Sequence, residues 1–212
     1  MTTPTQTSPR PWLQIWVHPR TTVRGLLGNS PLYVELLLVA GSGVIQSMVQ
    51  GNSNQVGARV PGSVILLATL GIGAIWGLFQ MHLVATLLYL VGKWTGAPAQ
   101  FSSLRTALAW AAVPQIVILL FWVLGTLIFG RLLYVDPELA MAQMPLVALA
   151  QGLLLLGTLV CGGWWLVLQV VGVAEVQHVS VWRALGHFAV AGLMLGAVAI
   201  LIVLVAILRS HR

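Results

Sequence analysis

The sequence predicts an all-α, polytopic membrane helix bundle of about five transmembrane helices with an N-terminal interfacial helix. Three observations predict it. Of 212 residues, 58% are hydrophobic and 7% charged, whereas an ordinary soluble domain needs about 25% charged residues to face water. The mean hydropathy is +0.96. The ionic residues are also segregated, so that stretches 36–58, 60–92, 106–130, 139–174 and 184–208 contain none. Each stretch can form a helix of roughly 20 residues, enough to cross a hydrocarbon core of about 30 Å. A lipid-facing charge costs about 2.5–3.5 kcal/mol even on insertion scales, and that cost is the physical cause of the spacing.

Residues 1–11 are polar and rich in Pro and Thr, and read as a disordered tail ahead of a single domain over 12–208. In the segment that follows, Pro19 suits a first helical turn. Val23, Leu26 and Leu27 share one face, and Arg20 and Arg24 share another. This predicts a helix in the inner interface, with Trp12 and Trp16 at headgroup depth and Arg20 and Arg24 toward anionic lipids. Gly28 to Pro31 ends it and opens the first span, about 32–50.

The second span, about 61–92, is longer than an upright helix requires and is read as tilted or kinked. Its Gly71, Gly73 and Gly77 offer a bend or a tight helix contact. In the third, about 105–130, Pro114 cannot donate to the Trp110 carbonyl, which predicts a kink. Asp136-Pro137-Glu138 reads as a capped helix start, giving a short surface helix over 137–143 before a fourth span at about 146–173. The fifth, about 184–208, carries Gly186, Ala189, Gly192 and Gly196 on one side. Such a stripe serves close packing, either inside the monomer or in a homodimer. A basic tail, 209–212, ends the chain.

With the N-terminus inside, the cytoplasmic side holds six Lys/Arg (Arg10, Arg20, Arg24, Lys93, Arg105, Arg183). The outer side holds four (Arg59, Arg131, Arg209, Arg212). The positive-inside rule thus favours a multi-pass protein of the cell (inner) membrane with a cytoplasmic N-terminus. A six-span reading that splits 60–92 gives the same tally. The first 30 residues hold no apolar run of signal-peptide length, so the first span is expected to act as an uncleaved signal.

The pI near 10.8 reflects ten Lys/Arg against four Asp/Glu, without a basic cluster. Nucleic-acid binding is therefore excluded. A lone cysteine, Cys161, excludes a disulfide scaffold. No metal-binding, phosphate-binding or paired-carboxylate motif occurs, so neither enzymatic activity nor a cofactor is expected. Ser42, between Gly41 and Gly43, with His82 or His187 as base, is the one arrangement resembling an intramembrane hydrolase.

Two groups of polar residues stand out. His82 falls near the middle of the second span, where Gln46 and Gln115 are its candidate hydrogen-bond partners, forming a midplane polar site. At the inner mouth Glu35, Lys93, Arg105, Glu175, His178 and Arg183 should lie at one depth. The expected pairs are Glu175–Arg105, and Glu35 with Lys93 or Arg105.

The pattern Trp16-x-x-Pro19-Arg20-x-Thr22-x-Arg24-x-Leu26-Leu27, ending in Pro31, resembles the opening of prokaryotic Ypt-interacting, or Yip-domain, membrane proteins. Two later stretches are similar to the same family. One runs from Gly96 through Phe101, Arg105 and Trp110 to Pro114. The other runs from Trp165 through Gln169, Gly172, Glu175 and His178 to Arg183-Ala184. The likeness covers about residues 12–208. It implies an all-helical multispan domain with a cytosolic N-terminus, in a family whose eukaryotic members bind Rab-type GTPases. This sequence lacks their long N-terminal region and its Asp-Leu-Tyr-Gly-Pro type segment, so no GTPase partner is expected.

The function expected is that of a non-enzymatic membrane scaffold whose partners are the bilayer and other membrane proteins or a second copy. The alternative is a small transporter or channel, with Gln46, His82, Gln115 and Gln151 lining a midplane site.

Overall fold

The computed structural model describes residues 10–210; residues 1–9 of the N-terminal tail and 211–212 of the basic ending lie outside the described residues. The helices are α1 (Pro11–Val17), α2 (Pro19–Leu26), α3 (Leu32–Ser53), α4 (Gly62–Trp94), α5 (Phe101–Ala111), α6 (Val113–Phe129), α7 (Pro137–Gln143), α8 (Pro145–Val176) and α9 (Val181–Ser210). No strand occurs among the described residues. Among the described residues, five segments are long and apolar enough to cross a membrane: Leu32–Ser53, Gly62–Trp94, Val113–Tyr134, Pro145–Val176 and Val181–Arg209. The protein is an all-α polytopic membrane bundle.

The N-terminal segment contains the expected helix opened by Pro19 and a second, shorter helix before it. Each is opened by a proline, and both dock on the bundle. Ile15 and Val23 are buried. Val23 sits where α8 passes α5, beside Gly172 and Ala107. Trp12 packs on Trp110, with ring centroids 4.9 Å apart and planes tilted by 56°, and the Trp110 indole donates to Ser30 Oγ at 2.8 Å. An aromatic partner on the bundle thus holds one face of Trp12, which remains exposed on the other. Arg20 and Arg24 are both exposed, and Arg24 also reaches a carboxylate described below.

α3 and α4 form the tightest helix pair. A Cβ on Gly43 would lie 2.5 Å from the Cα and N of Gly77, and one on Gly77 would lie 2.9 Å from the same atoms of Gly43. Only hydrogens fit between these backbones, so the glycine run of α4 is a close contact. α4 itself continues unbroken from Gly62 to Trp94.

The third predicted span is interrupted. α5 ends at Ala111, Ala112 bonds back to Ala109, and α6 begins at Val113 with Pro114 in its first turn. Without an N–H, Pro114 breaks the ladder at the carbonyl of Trp110, as its position requires. α5 is buried on nearly every side, its alanines allowing α3, α4 and α8 to approach.

One end of the bundle carries the docked N-terminal helices and is called proximal here. At the distal end, 3₁₀ turns over Val56–Ala58 and Gly130–Tyr134 pack together. Asn52 donates to the Leu133 carbonyl at 2.7 Å, and the Thr126 and Tyr134 hydroxyls pair at 2.7 Å. Asp136 caps α7, accepting from Glu138 N at 2.9 Å. Gln151 belongs to this distal layer and not to a midplane site. Its amide donates toward the carbonyls of Leu132, Leu133 and Val135 at 3.0–3.3 Å, and its buried Oε1 finds no partner among the described residues. The 130–135 turn exposes carbonyls that a buried amide can satisfy, and that need outweighs its lone oxygen.

α9 meets the bundle through Ala184, His187 and Ala191, all buried. Gly186, Gly192 and Gly196 face open space, and Ala189 is exposed. Packing of that stripe inside the monomer is therefore overturned. The larger side chains Phe188 and Met194 share the packing with the bundle instead.

Candidate functional site

Besides the distal layer, two polar layers cross the bundle. The first lies at the proximal end, where the start of α3, the start of α5 and the end of α8 converge. Glu35 is 1% exposed. Its Oε2 accepts from Arg105 Nε at 2.7 Å and its Oε1 accepts from the Thr106 hydroxyl at 2.6 Å. Both oxygens of this buried carboxylate are thereby satisfied, as the low dielectric demands.

Glu175 pairs with Arg24, Nε to Oε1 at 2.7 Å, and not with Arg105. Arg105 is already committed to Glu35, and the docking of α2 on α8 delivers Arg24 instead. The Arg24 side chain is 67% exposed. Glu175 itself is 9% exposed, so the pair is open on its arginine side only. Arg24→Ala should therefore lower stability by about 1–3 kcal/mol, the cost of leaving a buried acceptor without its partner, measured as detergent-solubilised unfolding with and without added salt.

Arg183 donates to the carbonyl of Thr95 and secures the end of α4. Beneath it His187 lies between Gln177 and Thr95, at 2.6 Å from Gln177 Oε1 and 3.0 Å from Thr95 Oγ1, while the Gln177 amide donates to the Leu88 carbonyl at 3.0 Å. With its amide so engaged, Gln177 presents an acceptor to His187, so Nδ1 carries the proton. Lys93 and His178 are exposed. The expected single cluster is thus divided into separate contacts: Glu35–Arg105–Thr106, Arg24–Glu175, and Arg183–Thr95 above His187.

The second layer lies at mid-depth. Gln46 stands about 16 Å along α3 from Glu35, and Gln115 about 15 Å along α5 and α6 from Arg105. A small cavity of about 60 Å³ is lined by Ser42, Gln46, Gln80, Trp165 and Gln169 among apolar neighbours. A larger groove of about 580 Å³ shares Gln46 and Trp165 with it and adds Gln115 and Thr158. Gln46, Gln80, Gln115 and Gln169 make no side-chain hydrogen bond to any described residue. Gln115 is 5% exposed.

His82 is not part of this layer. It is exposed, its Nδ1 is 2.8 Å from the Leu78 carbonyl of its own helix, and its ring lies beside Phe101. Helical phase explains the difference: Gln80 and Met81 turn into the cavity, so His82 turns out. The Ser42 hydroxyl donates to the Val39 carbonyl at 2.8 Å, and His187 is held in the proximal layer. Neither histidine is bonded to Ser42. Among the described residues no three His, Cys, Asp or Glu side chains form a metal-ligating group.

Gln80 and Gln177 carry no expectation from the sequence, and Gln169 enters only through the family-like stretch. The signal was available all the same: a glutamine inside a charge-free span needs a partner as much as a histidine does.

A family model, the Yip1 domain, matches residues 13–207. No curated protein and no solved structure gives a significant match.

Proposed function

The chain belongs to the Yip1 domain family, and we propose that it acts as a non-enzymatic membrane scaffold that gathers other membrane proteins through α9. The observation that carries this reading is the uncovered length of α9. Only 6% of its most apolar window is buried, against 44% for α3, and Leu193, Ile200 and Leu201 stand clear of the bundle. The small residues Gly186, Ala189, Gly192 and Gly196 lie outward, where a partner helix can approach closely. The six-to-four charge tally supports an inner-membrane location with a cytoplasmic N-terminus.

A photocrosslinking amino acid at positions 193 and 200, activated in native membranes, is expected to yield discrete protein adducts, whether to a second copy or to another protein. Adducts with lipid alone overturn the scaffold. A small transporter or channel is the second reading, supported by the unpaired amides of the mid-depth layer. Solute flux in reconstituted vesicles, abolished by Gln46→Leu, would establish it in place of the first.

A further inference from the structure

We propose that the mid-depth groove is a binding site for a neutral lipid whose polar group is a hydroxyl or carbonyl, of the diacylglycerol or long-chain alcohol type. This goes beyond the scaffold reading and stands whether or not α9 docks a partner.

An amide in hydrocarbon without a hydrogen-bond partner costs several kcal/mol. Gln46 and Gln115 border the groove, and Gln46 is shared with the adjoining cavity that Gln80 and Gln169 line; none of the four bonds to any described residue. Gln115 is 95% withdrawn from the surface and borders the groove. A ligand that both donates and accepts hydrogen bonds satisfies this set, because each amide offers one acceptor and two donors.

The lining selects the ligand's charge. No ionisable side chain borders either the cavity or the groove. An ionised headgroup drawn to mid-depth would stay uncompensated, whereas a hydroxyl or ester carbonyl would be matched. The groove also has a lipid-facing flank. Leu159 and Leu166 line it and are at the same time 73% and 55% exposed on the outer face of α8. A hydrocarbon chain can lie along these leucines while its polar group reaches Gln46 and Gln115. Its volume of about 580 Å³ falls in the range of about 300–1,000 Å³ typical of small-molecule sites. Trp165 walls both compartments.

The test uses the full chain in phosphatidylcholine vesicles doped with a diacylglycerol bearing a photoreactive group in one chain, with adducts mapped by mass spectrometry. Labelling is expected to concentrate on residues 45–49 and 158–166. Excess unlabelled diacylglycerol should reduce it at least fivefold, and excess phosphatidic acid should leave it unchanged. Competition by a polyprenol, if stronger than by diacylglycerol, assigns the site to long-chain alcohols; if weaker, to diacylglycerols.

The double variant Gln46→Met, Gln115→Met keeps side-chain volume while removing the amides, and should lower groove labelling at least fivefold with α9 labelling unchanged. Gly162→Leu, which fills the groove beside Gln115, should do the same if the double variant does not fold. Labelling spread evenly over lipid-facing helices, equal competition by phosphatidic acid, or no loss in either variant overturns the proposal.

Discussion

Arg105→Ala is expected to lower the unfolding free energy by about 3–5 kcal/mol, the cost of leaving one member of a buried ion pair alone. Glu35 is 1% exposed and cannot reach solvent when its partner is removed, while the Arg105 side chain retains 24% exposure. Two consequences distinguish this from a generic packing loss. Glu35→Ala should cost less than Arg105→Ala, because the remaining guanidinium can turn outward and Thr106 still has the Ser102 carbonyl, 3.1 Å away, as acceptor. The neutral pair Glu35→Gln with Arg105→Met should recover much of the loss, since no uncompensated charge then remains. Thermal unfolding of the detergent-solubilised protein measures all three, with Glu35→Gln and Arg105→Met made singly as well to complete a double-mutant cycle. Additive losses in the double variant would refute the pairing as the source of the effect.

Gly43→Ala should cost about 3 kcal/mol or more, at or above the upper end of ordinary overpacking, and Gly43→Leu should abolish accumulation of monodisperse protein. The added methyl would lie 2.5 Å from Gly77 Cα and N, atoms of a helix backbone that no rotamer change can move. Separating α3 from α4 would disturb the largest helix–helix interface of the bundle. Gly71→Ala and Gly196→Ala are the controls. Both glycines face open space, and a methyl there meets nothing within 4 Å. Their unfolding midpoints should match the parent within about 0.5 kcal/mol of stability. Size-exclusion profiles of the four variants, followed by heating, separate the outcomes. Equal tolerance at positions 43 and 71 would remove the tight pair from the account.

Much of the fold was legible because lipid penalises a single property severely. Charges are excluded from spans, so the gaps between Glu35, Arg59, Lys93, Arg105 and the later ionic residues mark helices almost directly. Helix breaks were legible for a local reason too. Pro114 interrupts α5 and α6 at Ala112, and Asp136 with Pro137 opens α7, because both effects act within one helical turn.

The candidate site was only half legible. The residue types and depths of Glu35, Arg105 and Glu175 were readable, and Glu35–Arg105 was among the pairs expected. The partner of Glu175 was not, because it depends on where a non-spanning helix docks, and Arg24 resembles any basic flank in sequence. Gln46 and Gln115 were readable as mid-depth polar groups that come to share a groove, whereas His82 departed from them through a rotation of α4 that hydropathy does not encode.

The amino-acid sequence by itself determined that the chain is a helical membrane bundle, about where its spans lie, and the breaks at Pro114 and Asp136-Pro137. Those features follow from transfer free energy and local backbone chemistry, which act on each stretch separately. Only the tertiary structure decided which carboxylate meets which arginine, that Gly73 and Gly77 of α4 contact α3 while the glycines of α9 face outward, and that Gln46 and Gln115 share a groove with their amides unpaired. These outcomes depend on the rotation of each helix about its own axis. In a nearly uniform apolar span, little but packing against the neighbouring helices sets that rotation.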